Sequence, residues 1–403
     1  MSEKREITFL IKVMNGGGAE RVISVLSRGF VEAGHSVSLI LTHQSLQDAQ
    51  LDSLHEKVNV LSLEDQLLGS RQNLFGARVK MLQGRLEGKL SRLLLKRESE
   101  KGLIHKYWAR NFEKVAWLSN YFKQHKQTTL ISFLYDTIFL TLLANQSVGN
   151  PLIISERGDP EQSAGSKTTM AFLHSKFKEA DHVIFQSPDV RDWYKVHTNV
   201  EGKVIFNPIK EDLPEPFTGV RQKKIVNFCR ISEQKNLELL VCAYDRLQKD
   251  YPNYNMYIYG DPVGNGAEGY LDHIRNIIKQ KGLEEKVYIL PGRSDIHNEI
   301  RDYGMFVSSS DFEGMSNSML EAMAMGMPVV CTDCPAGGAR AVIQDYENGL
   351  LVPVKNEEAL YLAMKELIKK PELAEKISKN AAKIREAQSL ENIMKQWMEL
   401  IDG

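Results

Sequence analysis

The sequence predicts an α/β protein built from two Rossmann-like domains. Three observations carry that prediction. Short apolar runs of strand length alternate with segments of helical period along the chain. The alternation falls into two series, each near the size of a nucleotide-binding domain, with prolines and mixed charge between them. The chain has 403 residues, enough for two domains at roughly 100–200 residues each.

Residues 6–13 (EITFLIKV) read as a buried strand. Asn15, Gly16, Gly17 and Gly18 follow as a turn. Val22, Val25 and Leu26 then share a helical face, Gly34 and His35 end that helix, and Ser36 to Leu41 is a second strand. A strand, glycine turn, helix and strand make a βαβ unit, which implies a parallel sheet with helices on its faces. Further strands are expected at Leu130–Phe133, Leu152–Ser155, His182–Phe185 and Lys203–Phe206. Pro208, Pro214 and Pro216 mark the boundary between Asn207 and Lys224. The second series has strands at Ile225–Cys229, Asn255–Tyr259, Val287–Leu290, Met305–Ser308, Val329–Cys331 and Leu350–Val352. A helical tail over 389–402 comes after that series is complete, and it is expected to cross back onto the first domain. The expected division is 1–207, 208–387 and a returning helix in 388–403.

Composition narrows the class. Lys plus Arg number 51 and Asp plus Glu 52, with 42% hydrophobic and 26% charged residues. This excludes a collagen, a disordered chain and a small disulfide scaffold, and it disfavours a strongly basic nucleic-acid binder. The start, MSEKRE, lacks the pattern of a secretory signal. The longest apolar run, Leu130 to Ala144, is short for a membrane span and is broken by Asp136. These features, with only four cysteines, lead to the expectation of a reducing cytoplasmic location. Cys331 and Cys334 form a C-x-x-C, which raises a metal or redox site; no second pair accompanies it, and a core role is the expected one. Residues 71–126 depart from the average, with 14 Lys/Arg against 4 Asp/Glu. Leu82, Leu86, Leu90, Leu93 and Leu94 form a stripe there among Arg78, Arg85, Lys89, Arg92, Lys96 and Arg97. Such a helix could lie on an anionic bilayer or be a solvated helix whose leucines pack on the sheet; both readings stand.

Three segments carry chemistry. Gly16, Gly17 and Gly18 stand between a strand and a helix, where close backbone approach and a helix N-terminus suit a phosphate. A tight turn without a ligand is the alternative. The spacing is neither a dinucleotide fingerprint nor a P-loop. Arg230, Lys235 and Asn236 follow the first strand of the second series, at the sheet edge where open α/β sheets bind ligands. Arg and Lys together can hold a diphosphate, although surface cations are common. Last comes the run from Asp311 to Pro328. Glu313 lies in a loop after a strand, Ser316 or Asn317 can cap the next helix, and Glu321 sits one turn inside it among Met319, Leu320, Ala322, Met323 and Ala324. A carboxylate in such surroundings is costly without a partner, and a pair of sugar hydroxyls would serve.

Glu313 and Glu321, eight positions apart and followed by Gly326, Pro328, Val329 and Val330, resemble the signature of glycosyltransferase family 4. Arg230, Lys235 and Asn236, the early glycines, and Gly337 with Gly338 match the same pattern, from residue 6 to about residue 400. The resemblance implies a GT-B fold, two Rossmann-like domains facing a cleft, with acceptor bound by the first domain and nucleotide-sugar by the second. It implies that Arg230 and Lys235 hold the donor diphosphate, Glu313 faces the transferred sugar and Glu321 binds the ribose. Met315, Ser316 and Asn317 would assist, Gly17 and Gly18 would approach the phosphates, and Arg293 would border the nucleobase. Many relatives carry a histidine after the strand corresponding to Leu152–Ser155; Glu156 and Arg157 stand there instead, with Arg157 expected to hold phosphate or acceptor and Glu156 to orient a hydroxyl, a purely structural loop being the alternative. The opening Gly-Gly-Gly-Ala-Glu-Arg-Val is similar to bacterial members that build surface polysaccharides and lipid-linked oligosaccharides. The implied activity is retaining transfer of a hexose or N-acetylhexosamine from a UDP-sugar to a membrane-linked glycan. No Asp-x-Asp is placed to bind a divalent ion between phosphates, so no metal or other cofactor is expected, and no nucleic acid; the expected location is cytoplasmic, with contact to the inner face of the plasma membrane resting on the basic segment 71–126 alone. An epimerase or phosphorylase on the same fold, or a non-catalytic donor-binding scaffold, remains as an alternative.

Overall fold

The computed structural model describes residues 4–69, 100–162, 174–264 and 266–402. The leucine stripe between Leu82 and Leu94 lies outside the described residues.

The first sheet comprises β1 (Glu6–Ile11), β2 (Ser36–Leu41), β3 (Asn59–Ser62), β4 (Thr129–Phe133), β5 (Leu152–Ser155), β6 (His182–Phe185) and β7 (Lys203–Val204). Their order is β3-β2-β1-β4-β5-β6-β7, all parallel. The second sheet comprises β8 (Gln222–Phe228), β9 (Asn255–Tyr259), β10 (Val287–Leu290), β11 (Tyr303–Ser308), β12 (Val329–Asp333) and β13 (Leu350–Pro353), in the parallel order β10-β9-β8-β11-β12-β13. Parallel sheets need cover on both faces, and the side chains alternate accordingly. Ile7, Phe9 and Ile11 enter one core while Leu10 enters the opposite one. In the second sheet Ile225 points to one core, Val226 and Phe228 to the other.

The covering helices of the first domain are α1 (Gly18–Glu32), α2 (Leu63–Gly69), α3 (Glu100–Gln124), α4 (Tyr135–Asn145) and α5 (Pro188–Thr198). Those of the second are α6 (Leu237–Asp250), α7 (Ala267–Gln280), α8 (Ile296–Ile300), α9 (Asn317–Ala324), α10 (Glu357–Lys369), α11 (Pro371–Ala381) and α12 (Ile384–Ala387). The last helix, α13 (Leu390–Asp402), returns to the first domain. Its Ile393, Trp397 and Leu400 pack in one core with Phe9 and Phe30. Among the described residues no helix is long and apolar enough to cross a membrane.

Several details depart from the sequence expectations, among them β8, which begins at Gln222 inside the expected boundary and ends before Cys229. The edge strand β3 was not anticipated. β1 stops at Ile11, leaving Lys12 and Val13 to the turn, and β7 ends at Val204. Ile205 still enters the core with β1 neighbours, so the apolar run continues after ladder pairing ends.

Candidate functional site

Loops leaving the C-terminal ends of both sheets meet between the domains. In the first domain, Gly17 caps α1 and Glu20, in its first turn, bends back. Its Oε2 accepts from Gly17 N at 2.5 Å and Asn15 N at 2.6 Å. A Cβ on Gly17 would stand 2.9 Å from Glu20 Oε1, so a side chain there would displace the Glu20 carboxylate. Glu20 thus already occupies two of the backbone amides at the turn where a phosphate is expected. Gly18 O faces the second domain and accepts from Asn317 Nδ2 at 3.1 Å.

In the second domain, the turn after β8 and the turn after β11 bring Lys235 and Glu313 together, Nζ to Oε2 at 2.5 Å. Asn236 supports the first turn: Oδ1 accepts from Leu239 N at 3.1 Å, capping α6, while Nδ2 donates to Asp311 Oδ1 at 2.7 Å. Burial alone would depress the Lys235 pKa, but Glu313 beside it holds it above the ordinary value. Arg230 is exposed at the rim of an adjoining cavity of about 250 Å³, with Ser232, Gln234 and Tyr270 also in its wall. Ser316 caps α9, its Oγ accepting from Met319 N at 3.4 Å. Met315 is buried and its carbonyl accepts from Asn207.

Glu321 is buried on α9 and is already partnered. One oxygen pairs with Arg21 of α1, from the other domain; the other lies 2.9 Å from His297 Nε2 on α8. Burial would raise its pKa, yet Arg21 and His297 hold it below the ordinary value. Arg293 does not join this group. It is taken up at the surface by Asp295 at 3.0 Å and Glu299 at 2.8 Å.

Glu156 and Arg157 turn inward. Glu156 Oε1 accepts from the backbone of Arg157 and Gly158, both at 2.9 Å, and Tyr194 OH donates to Oε2 at 3.3 Å. Burial raises its pKa. Arg157 donates to Ser155 Oγ at 2.8 Å and to Asn207 Oδ1 at 2.6 Å, and lies over the Phe133 ring. Its Nη2 is buried with no hydrogen-bond partner, and burial lowers its pKa to about 9. Asn207 also accepts from Gln186 Nε2 at 2.8 Å and donates to Asn317 Oδ1 at 2.6 Å. A polar chain thus runs from Arg157 through Asn207 and Asn317 to Gly18 O, crossing the cleft. Gly338 closes the same region: a Cβ there would stand 1.6 Å from Gly314 O.

Sequence reasoning missed Arg21, Asn207, Gln186 and His297. Arg21 stands three residues after Gly18, on the first turn of the helix the glycines open, and that placement was the available signal. His297 lies on a five-residue helix with no motif around it. Cys331 and Cys334 are free and buried; Cys334 Sγ donates to Ser310 O, and burial pushes its thiol up to about 12. Among the described residues no group of three or more His, Cys, Asp or Glu is placed to hold a metal ion.

Residues 209–384 match the family described as glycosyl transferases group 1. Over 167 residues the chain is 36% identical to N-acetylgalactosamine-N,N'-diacetylbacillosaminyl-diphospho-undecaprenol 4-alpha-N-acetylgalactosaminyltransferase of Campylobacter jejuni, covering 41% of this chain and 43% of that one. It is 28% identical over 184 residues to poly(ribitol-phosphate) alpha-N-acetylglucosaminyltransferase of Staphylococcus aureus, covering 45% and 36%. The chain spans less than half the length of these curated relatives. Among solved structures, TarM superposes with TM-score 0.77 at 15% identity over 100% of this chain and 99% of that one. HepE of Anabaena in complex with UDP superposes with TM-score 0.75 at 19% identity over 98% and 99%. The fold is GT-B.

Proposed function

From a second domain that matches the glycosyl transferases group 1 family within a GT-B fold, we propose that this protein is a retaining, metal-independent glycosyltransferase of family 4 type. It moves a hexose or N-acetylhexosamine from a UDP-sugar to a hydroxyl of a membrane-linked glycan, in the synthesis of a bacterial surface glycan at the cytoplasmic face of the membrane. Residues 1–207 receive the acceptor, 208–387 hold the nucleotide-sugar, and the helix in 388–403 joins the second to the first.

The observation that carries this reading is the Lys235–Glu313 pair at the C-terminal edge of the second sheet, beside the cavity rimmed by Arg230. Lys235 and Arg230 supply positive charge to the diphosphate as the bond from the anomeric carbon to phosphate oxygen breaks. The acceptor oxygen forms the new glycosidic bond on the same face, and its proton passes to the leaving phosphate. Preorganised donors aimed at developing charge often supply the largest catalytic contribution. Glu313 holds Lys235 in place and faces the sugar, with Met315, Ser316 and Asn317 beside it, and Gly17 and Gly18 border the phosphates from the first domain. Glu321 takes the ribose hydroxyls, which requires Arg21 to yield one oxygen. The unpartnered Nη2 of Arg157 is a further donor toward phosphate or acceptor, positioned by Asn207.

The name of the Campylobacter jejuni relative, a diphospho-undecaprenol-linked sugar acceptor, supports the acceptor class, and the UDP complex of HepE supports the nucleotide. The test is donor-dependent UDP release in the presence of EDTA, across UDP-, GDP- and ADP-sugars, with a lipid-linked glycan extract. Acceptor-stimulated release from one UDP-sugar is expected, and Lys235→Ala should lower it by roughly a hundredfold or more. Full turnover in Lys235→Ala, or free sugar released equally without acceptor, would sink the reading.

A further inference from the structure

A second group of cations lies on the rim of the first sheet, its Lys12 on the same β1–α1 turn as Gly17. Lys12 follows β1, Thr42 and His43 follow β2, and Tyr135 and Asp136 open α4 after β4. Lys114 reaches the same place from α3, its Nζ donating to Thr42 O at 2.7 Å. His43 N donates to Lys12 O at 3.0 Å, and its Nδ1 lies 2.9 Å from Thr42 Oγ1. Lys12 Nζ pairs with Asp136 Oδ2 at 2.8 Å, and Tyr107 OH donates to the Asp136 carbonyl at 2.8 Å.

Of these two ammonium groups and the imidazole, Lys12 alone has, among the described residues, a carboxylate at ion-pair distance, that of Asp136. Lys114 is half-buried and, among the described residues, has no carboxylate within that distance. Burial is the largest influence lowering its pKa, and Glu64 on α2 offsets this from farther away. His43 is held at about 4 by burial and by both lysines. An ammonium with three donors and one carbonyl partner keeps capacity for an anion, and an entering dianion would relieve the repulsion within the group. The location is apt, because open α/β sheets take ligands at the C-terminal ends of their strands. Arg157, Gln186 and Asn207, which make or support contacts to the second domain, follow β5, β6 and β7, whereas Lys12 and His43 follow β1 and β2, with Lys12 on the turn that leads to Gly17 and Gly18. Lys114 belongs to the basic stretch 71–126 of the sequence.

We propose that Lys12, His43 and Lys114 bind the phosphate or diphosphate that joins the acceptor glycan to its lipid. The inference rests on the membrane-linked acceptor proposed above, and it adds the place where that acceptor is anchored. Lys12 and Lys114 neutralise the anion, and His43 donates a hydrogen bond and gains a proton as the anion enters. The glycan then extends along the rim toward Glu156 and Arg157, and so toward the cleft.

The test is calorimetric titration of the full chain with farnesyl diphosphate, farnesol and UDP, each alone and then in competition. Farnesyl diphosphate is expected to bind and farnesol not to. Lys12→Ala and Lys114→Ala should each weaken farnesyl diphosphate by about tenfold, the loss of one charge-assisted contact, with Lys114→Arg restoring most of it. UDP binding reports folding of each variant, and Lys12→Ala, at an exposed ion pair, serves if Lys114→Ala does not fold. Three results overturn the proposal: no farnesyl diphosphate binding by the wild type, equal affinity in the variants, or displacement of farnesyl diphosphate by UDP. Absence of UDP binding with farnesyl diphosphate still bound would instead remove the donor reading and leave this site standing.

Discussion

Lys235 and Glu313 are 11% and 20% exposed, so each is the other's principal source of neutralisation. Removing one partner of such a pair leaves a poorly solvated charge, whereas removing both restores balance. Lys235→Met should therefore cost about 3 kcal/mol in urea denaturation, and adding Glu313→Gln should return most of it. Glu156 behaves in the opposite sense. Its pKa is raised on folding from an ordinary 4.5, so the folded state binds the proton more tightly. The resulting penalty is absent below the unfolded pKa and grows as pH rises through the folded one. Glu156→Gln should melt with the wild type at about pH 4 and above it at about pH 8, provided the amide oxygen keeps the two backbone donors. Both glutamates of the second domain were legible from their spacing along one loop and one helix. Their partners were less so. Arg21 is 300 residues from Glu321 in sequence, and spacing within a segment cannot encode a pairing made by packing two domains.

At the scale of elements, α13 shows what periodicity can deliver. Ile393, Trp397 and Leu400 fall on one face at helical spacing, and that face enters the core beneath β1 and α1. Gly29 of α1 makes room for it: a Cβ would stand 2.7 Å from Met394 Sδ. Trp397 is fully buried, so Trp397→Ala should destabilise the first domain by about 3–5 kcal/mol, read as a lower unfolding midpoint. β3 marks the opposite limit. It is four residues long with a partly exposed start, and nothing in Asn59–Ser62 distinguishes an edge strand from a loop until β2 is present to pair with it. The strands of both sheet interiors were legible because burial on both faces demands continuous apolar runs.

At the scale of the molecule, the two domains are held together by a few polar contacts around the cleft. Asn207 to Asn317 and Asn317 to Gly18 form one set. Ser187 Oγ to Ala336 O at 2.5 Å, and Arg340 to Asp189 at 2.9 Å, form another. Polar interfaces of this kind permit relative motion. Asn207→Ala should loosen the first set and free Arg157 Nη1, giving a larger radius of gyration by small-angle scattering in the absence of nucleotide. An unchanged scattering profile would place closure elsewhere. The two-sheet plan was legible in the two series of strand-length apolar runs, but the contacts that shut the cleft were not, since each joins residues from opposite domains. The returning helix has one more consequence. Because α13 ends in the first domain, the chain passes between domains twice, once near Ile209 and once near Gln388, and Ile209 N donates to Gln388 O at 2.9 Å where the passages meet. Two adjoining crossings constrain the relative rotation of the domains more than one crossing would. The second domain is in effect an insertion within the first, tethered at Ile209 and Gln388 side by side.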